Sequence, residues 1–212
     1  MAPALSAATL LRAYAAGIFP MAERRGDPEV FWVDPRSRGI LPLGAFRVSR
    51  SLRRSVLRGG WEATLDRDFA GVLEGCAARP ETWINRPLMR LYTELYAAGH
   101  AHSQEVWHGG RLMGGVFGVA LGGAFFGESM FSARTDASKV ALAHLTRRLE
   151  AAGFSLFDTQ FPTAHLASLG GVEISRAEYR RRLRAALALP ADIRAARAPT
   201  PQEVVQRSSQ TS

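Results

Sequence analysis

Apolar positions recur along the chain with two periods, and the change of period divides it. Leu88, Leu91, Tyr92, Leu95 and Tyr96 fall at three- and four-residue spacing behind Asn85-Arg86-Pro87, and Gly99 closes the stripe, which predicts an amphipathic helix. The same spacing sets Phe69, Val72, Leu73 and Cys76 on one face of a helix running to about Ala78, with Asp66 or Asp68 as its cap. Ser6 is the expected cap of a helix over Ser6–Ala16 that stops at Gly17, and Ser51 that of a short helix ending at Gly59-Gly60. Asp136 would cap Ala137–Ala152 before Gly153, and Thr163 a short helix ending at Gly170-Gly171. Ser175 and Glu178 read as a capping box for a last helix.

From Ser103 the period falls to two. "SQEVWH" and "RLMGGVFGVAL" are joined by Gly109-Gly110, and Gly122-Gly123 turns the chain again into "AFFGESMF", which predicts a three-strand antiparallel meander. "FSLFDTQF" reads as a further strand. The proline-rich stretch between Gly17 and Leu43 reads as loop with short extended pieces. The expected class is α+β, with a small N-terminal lobe over residues 1–45, a main domain over 46–190, and a polar, weakly ordered tail over 191–212.

A chain of 212 residues, 47% hydrophobic, can bury one good core. It has no apolar run of the roughly 18 residues that span a bilayer, and Arg12 and Tyr14 interrupt the first apolar stretch, so no signal peptide is expected. Cys76 is the single cysteine, which excludes an intrachain disulfide and fits a reducing cytoplasm. The formal net charge is +8, a balance that draws polyanions. All the basic residues except Lys139 are arginine, which codon usage can explain; the net charge it does not explain. Residues 47–60 concentrate Arg47, Arg50, Arg53, Arg54 and Arg58 with no acid, either a solvated helix face or a phosphate-binding patch.

Several chemistries lack their signatures. There is no Walker A sequence, no G-x-G-x-x-G after a strand and no G-x-S-x-G elbow. His100 and His102 share a strand face without a third ligand at useful spacing, so a packed or hydrogen-bonded pair is expected rather than a metal site. Two acids stand out in apolar strands: Glu128, and Asp158 with Gln160 on the same face. That spacing lets the Gln160 amide hold the Asp158 carboxylate. A carboxylate in a strand must be satisfied, either by one of the arginines or by a cationic or amine-bearing substrate in a cleft. Phe19, Trp83, Tyr92, Phe125 and Phe126 are the aromatics available to line such a cleft.

The chain resembles the bacterial leucyl/phenylalanyl-tRNA–protein transferases. The stretches that carry the resemblance are "YAAGIFP" (14–20), "WVDPRSRGILP" (32–42), "TWI" (82–84), "GHAHSQEVW" (99–107), "GGVFGVALGGAFFGESMFS" (114–132), "ASKVAL" (137–142) and "DTQFPTAHLASLGGVEISR" (158–176). The resemblance implies a GCN5-related acetyltransferase-like main domain, with a central, mostly antiparallel sheet flanked by helices. It implies transfer of leucine or phenylalanine, less readily methionine, from aminoacyl-tRNA to proteins with N-terminal Arg or Lys, which marks them for N-end rule degradation. The aminoacyl ester is already activated, so no cofactor, ATP or metal is called for, and the attacking α-amine has an ordinary pKa of about 7.7–8.0.

In the same resemblance Asp158 is the acceptor or base, or the group that positions the amine, and Gln160 is its partner. Glu128 helps hold the donor's α-amine or the cationic acceptor residue. Phe125, Met130 and Ser132 match positions that shape the donor's side-chain pocket. Trp83 and Tyr92 match aromatic positions around the terminal adenosine and amino acid, and Tyr14 and Phe19 count as further substrate-binding positions. Arg47, Arg50, Arg53, Arg54 and Arg58 would hold the tRNA through its phosphates. Two departures stand out: a short stretch before "YAAGIFP", and Met21 where many members have a tryptophan able to stack on adenine. The competing readings are a coenzyme A-dependent N-acetyltransferase, whose pyrophosphate loop "RLMGGVFG" only partly matches, and a non-catalytic RNA-binding protein.

Overall fold

The computed structural model describes residues 5–79 and 81–206. In chain order the elements are α1 (Ala7–Ala15), β1 (Phe19–Met21), β2 (Phe31–Val33), β3 (Ser37–Ile40), α2 (Arg50–Arg58), β4 (Glu62–Leu65), α3 (Phe69–Ala77) and α4 (Arg86–Ala97). They continue with β5 (Ala101–His108), β6 (Arg111–Leu121), β7 (Ala124–Ser132), α5 (Ala137–Ala151), β8 (Leu156–Gln160), α6 (Ala164–Ser168), β9 (Val172–Ser175), α7 (Arg176–Leu187) and α8 (Pro201–Val205).

Seven strands form one sheet in the order β4-β5-β6-β7-β8-β3-β9, while β1 and β2 pair as a separate ribbon. Every neighbouring pair in the large sheet is antiparallel except β7 and β8. A parallel pair needs a crossover, and α5 supplies it. The architecture is therefore α+β with a mixed central sheet flanked by helices, and the expected meander is β5-β6-β7.

The helices cover both faces. On one, Leu10 and Tyr14 of α1, Val72 and Cys76 of α3, and Leu91 and Tyr92 of α4 enter one apolar cluster. On the other, Leu52 and Val56 of α2 pack with Val140, Leu145 and Leu149 of α5. The 191–206 stretch, expected as part of a weakly ordered tail, carries apolar anchors into that second cluster: Ile193 and Val204 are each 1% exposed. Its α8 holds a capping box between Thr200 and Glu203. Residues 207–212 lie outside the described residues.

The caps are partly as expected. Ser6, Asp68, Asn85, Thr163 and Ser175 each accept a backbone N–H of their helix's first turn. Ser49, not Ser51, caps α2: it is extended, and its Oγ accepts from Leu52 N at 3.2 Å. Asp136 sits at the N-cap of α5 with φ +66 and makes no capping bond; its carboxylate takes Lys139 Nζ instead, at 3.1 Å. Glu178 does not reach back to Ser175, because Arg181 and Arg182 hold its carboxylate.

Candidate active site

The site lies where β7 and β8 part. Their parallel register runs Ala124↔Leu156, Phe125↔Phe157 and Phe126↔Asp158 and goes no further. Beyond it, Glu128 and Met130 from β7 and Gln160 from β8 line a cavity of about 400 Å³. Leu142 of α5 and Phe157 add to its apolar lining, Phe19, Met21 and Trp83 form another wall, and Phe161 and His165 also line it. Phe161 is 41% exposed and meets Phe19 edge-on at 5.4 Å.

Glu128 is aimed by a bulge. Phe117 pairs with Ser129 and Gly118 with Gly127, which leaves Glu128 as the extra residue on β7. A bulge re-aims a side chain that regular alternation would place elsewhere. Glycine is required opposite it: a Cβ on Gly118 would come within 2.3 Å of the Phe126 carbonyl oxygen.

The Glu128 carboxylate is 8% exposed and held from two sides. Tyr92 Oη donates to Oε2 at 2.8 Å and Gln160 Nε2 to Oε1 at 3.1 Å. Tyr14 Oη stands 3.0 Å behind Tyr92 Oη. Burial pushes the Glu128 carboxyl up; the hydrogen bonds from Tyr92 and Tyr14 oppose this, and the net value is about 7. Burial and the Glu128 charge raise both tyrosine hydroxyls well above their ordinary range, so both stay protonated donors.

Asp158 is arranged differently from the sequence expectation. It is fully buried, does not line the cavity, and its acceptor positions are filled. Arg38 Nε (2.9 Å) and the Gln160 backbone N–H (2.8 Å) donate to Oδ1; Arg38 Nη2 (2.7 Å) and Tyr179 Oη (2.6 Å) donate to Oδ2. An ionised carboxylate offers about four lone-pair sites, so none is left for an attacking amine. The Gln160 side chain does not orient Asp158; its main chain binds Asp158 and its amide orients Glu128. This follows from backbone geometry: Gln160 has φ +58, which breaks strand alternation and turns the amide toward β7.

Arg38 is the residue that sequence reasoning missed. Its guanidinium lies 4.5 Å over the Phe19 ring and 4.4 Å over that of Tyr179, and Nη1 donates to the Gly17 carbonyl at 3.1 Å. Burial works against its charge, but Asp158 outweighs burial and raises its pKa. No local signal marked it, because its partners lie across the fold. Among the described residues no group of three or more His, Cys, Asp or Glu is placed to hold a metal. His102 Nδ1 sits 2.7 Å from Asp66 Oδ2, in a hydrogen-bonded structural role. Burial pushes the Cys76 thiol up to about 12, which removes it as a nucleophile.

The other expected site residues divide. Phe19, Trp83 and Met130 line the cavity. Tyr14, Tyr92 and Phe125 do not: all three are buried, the tyrosines behind Glu128 and Phe125 edge-on behind Phe157 at 5.4 Å. Ser132 is also outside it; at the end of β7 its Oγ donates to the Arg134 carbonyl and accepts from Ser138 N. Arg47, Arg50 and Arg53 line a second cavity of about 830 Å³ together with Lys139. Arg50, Arg53, Arg54 and Arg58 border a smaller one of about 340 Å³ along α2.

Fold and site together define an α+β enzyme in which an apolar slot adjoins a poised, buried carboxylate and a basic helix lies elsewhere on the molecule. The family model described as leucyl/phenylalanyl-tRNA protein transferase matches residues 40–184, and that of the family's N-terminal domain matches residues 4–36. Proteins named leucyl/phenylalanyl-tRNA–protein transferase are similar over nearly the whole chain. That of Ruegeria pomeroyi is 64% identical over 96% of this chain and 97% of its own. That of Cereibacter sphaeroides (strain ATCC 17025) is 63% identical over 99% of each, and that of Paracoccus denitrificans 54% over the full length of both. The chain belongs to the leucyl/phenylalanyl-tRNA protein transferase family and is an aminoacyltransferase, which displaces the acetyltransferase and the non-catalytic RNA-binding readings. No helix among the described residues is long and apolar enough to cross a membrane.

Proposed function

We propose that the enzyme moves leucine or phenylalanine, less readily methionine, from aminoacyl-tRNA to the N-terminal Arg or Lys of acceptor proteins. The marked proteins would then enter N-end rule degradation in the cytoplasm, and the transfer needs no cofactor. The observation that carries this reading is Glu128, a buried carboxylate on the wall of a mostly apolar cavity.

Met130, Leu142 and Phe157 receive the donor's side chain. Apolar contact separates similar apolar side chains weakly and rejects charged ones strongly, which fits a Leu and Phe pair of donors; Met130 adds an adaptable surface. Glu128 serves as counter-charge to the cationic acceptor, whose approach favours the ionised carboxylate. Gln160 fixes Glu128, and Asp158 fixes Gln160 through its main chain rather than acting as a base. Holding ester and amine together supplies much of the acceleration. Trp83, with Met21 and Phe19, borders the same cavity and would meet the terminal adenosine. Arg47, Arg50, Arg53, Arg54 and Arg58 hold tRNA phosphates, a sequence-blind contact that leaves selection to the amino acid.

The mixed sheet and its parting β7/β8 pair support a GCN5-related acetyltransferase-like main domain. For the chain's organisation we keep a lobe to about residue 45, a main domain to about 190 and a tail; the two family matches, which abut between residues 36 and 40, support a division in that region.

The test uses radiolabelled Leu-tRNA and Phe-tRNA with peptides beginning with Arg, Lys or Ala. Label should pass to the first two peptides and not to the third. A folded enzyme that binds tRNA but transfers nothing at several salt concentrations would sink the proposal.

A further inference from the structure

We propose that His165 takes the proton from the attacking amine and delivers it to the leaving ribose oxygen. The inference rests on the transfer reaction proposed above.

Asp158 lies off the cavity with its acceptor positions filled by Arg38, Tyr179 and Gln160. Glu128 faces the cavity, but Tyr92 and Gln160 already hold it, and its remaining capacity is the counter-charge for the acceptor. Arg79, a further lining residue, carries a guanidinium, which donates hydrogen bonds and offers no acceptor. His165 also lines the cavity, and its imidazole makes no hydrogen bond among the described residues. Partial burial and then the Lys139 charge lower its pKa, which keeps the ring neutral and able to accept at pH 7.

Its place fits the leaving group. When the donor's side chain occupies the slot by Met130, Leu142 and Phe157, the ester carbon is only two bonds from the side chain's Cβ. The tRNA is too large to follow it inside, so the ribose oxygen stays at the cavity's opening. His165 is an exposed residue that lines the cavity, so it stands at that opening, next to Leu166 of the same wall.

The step balances without a further reactant. The neutral amine nitrogen bonds to the ester carbon, and the tetrahedral adduct passes one N–H proton to the free ring nitrogen of His165. The bond from carbon to ribose oxygen then breaks, and the imidazolium returns that proton to the oxygen. The products are an amide and uncharged tRNA, and His165 ends neutral. General catalysis of this kind contributes about 10²- to 10⁴-fold.

The test compares wild type, His165→Ala and His165→Gln with Phe-tRNA and an Arg-initiated peptide. Both variants should lose about 100-fold in kcat while KM for either substrate stays within about threefold, and added imidazole should restore His165→Ala in proportion to its concentration. The exposed position makes both substitutions compatible with folding, which circular dichroism checks. The proposal is overturned by kcat within about threefold of wild type in either variant, by a loss confined to KM, or by no response to imidazole. Wild-type protein that transfers nothing would instead remove the reaction on which the inference stands.

Discussion

Arg38 grips both carboxylate oxygens of Asp158 in an ion pair that is 1% and 0% exposed, across 120 positions of sequence. The pair joins β3 to β8, and through Phe19 and Gly17 it ties the N-terminal segment to the strand that presents Gln160. An acid conspicuous in the sequence as a potential base thus serves as the post on which the neighbouring residue is mounted.

Removing one partner of such a pair strands a buried charge. Arg38→Met should cost about 3–5 kcal/mol in urea unfolding, and Arg38→Met with Asp158→Asn should recover part of it. A double variant no more stable than the single one would show that the charge of Asp158 is compensated elsewhere.

Glu128 links stability to pH. Its folded pKa, about 7, lies above the ordinary 4.5, so the folded state holds a proton more readily than the unfolded chain. Stability from this group is complete below pH 4.5 and is lost as pH rises through 7. Relative to Glu128→Gln, wild type should lose up to about 3 kcal/mol between pH 5 and 8. Thermal unfolding at both pH values reads the difference, and parallel curves would count against a buried, titrating Glu128. The same variant should slow transfer while tRNA binding survives.

Tyr92→Phe removes the donor that favours ionised Glu128. The acid limb of the kcat/KM profile for transfer should move to higher pH, with activity at pH 7 down about tenfold, the size of one lost hydrogen bond to a charged group. Tyr14→Phe should move the limb the same way by less, since Tyr14 stands one hydroxyl further back. An unmoved limb in Tyr92→Phe would show that this hydrogen bond does not tune the Glu128 counter-charge.

Arg50, Arg53, Arg54 and Arg58 lie on one short helix capped by Ser49. Changing any one to Ala should weaken tRNA binding and lower the slope of log affinity against log salt by about 1 for each phosphate no longer neutralised. At saturating tRNA, kcat should be unchanged. Filter binding across a salt series gives the slope; an unaltered slope in all four variants would place the RNA on another surface.

Local chemistry made much of the fold legible. The meander could be read because glycine pairs turn the chain between strands whose interaction is nearly local in sequence. The stripe behind Asn85 gave α4, since one buried face and one cap suffice to specify a helix. Two caps failed where a second side chain competed: Lys139 drew Asp136 away, and two arginines drew Glu178; the cap of α2 fell instead two positions earlier, on Ser49. In the tail, polar composition concealed Ile193 and Val204, whose burial depends on α2 and α5 being in place to receive them.

The sequence alone determined which residues were chemically out of place: a carboxylate in an aromatic strand, an acid and an amide two positions apart, and a run of arginines without counter-charge. Those are statements about residue type and neighbours, which composition and periodicity carry. Which acid would be open and which closed was decided by tertiary structure. Arg38 and Tyr179 reach Asp158 only when β3 and α7 pack beside β8, and Glu128 enters the cavity only because β7 bulges where its pairing with β8 ends. The physical reason is that a carboxylate's character is set by burial and by the donors within about 3 Å of it, and chain folding brings those donors from positions far away in sequence.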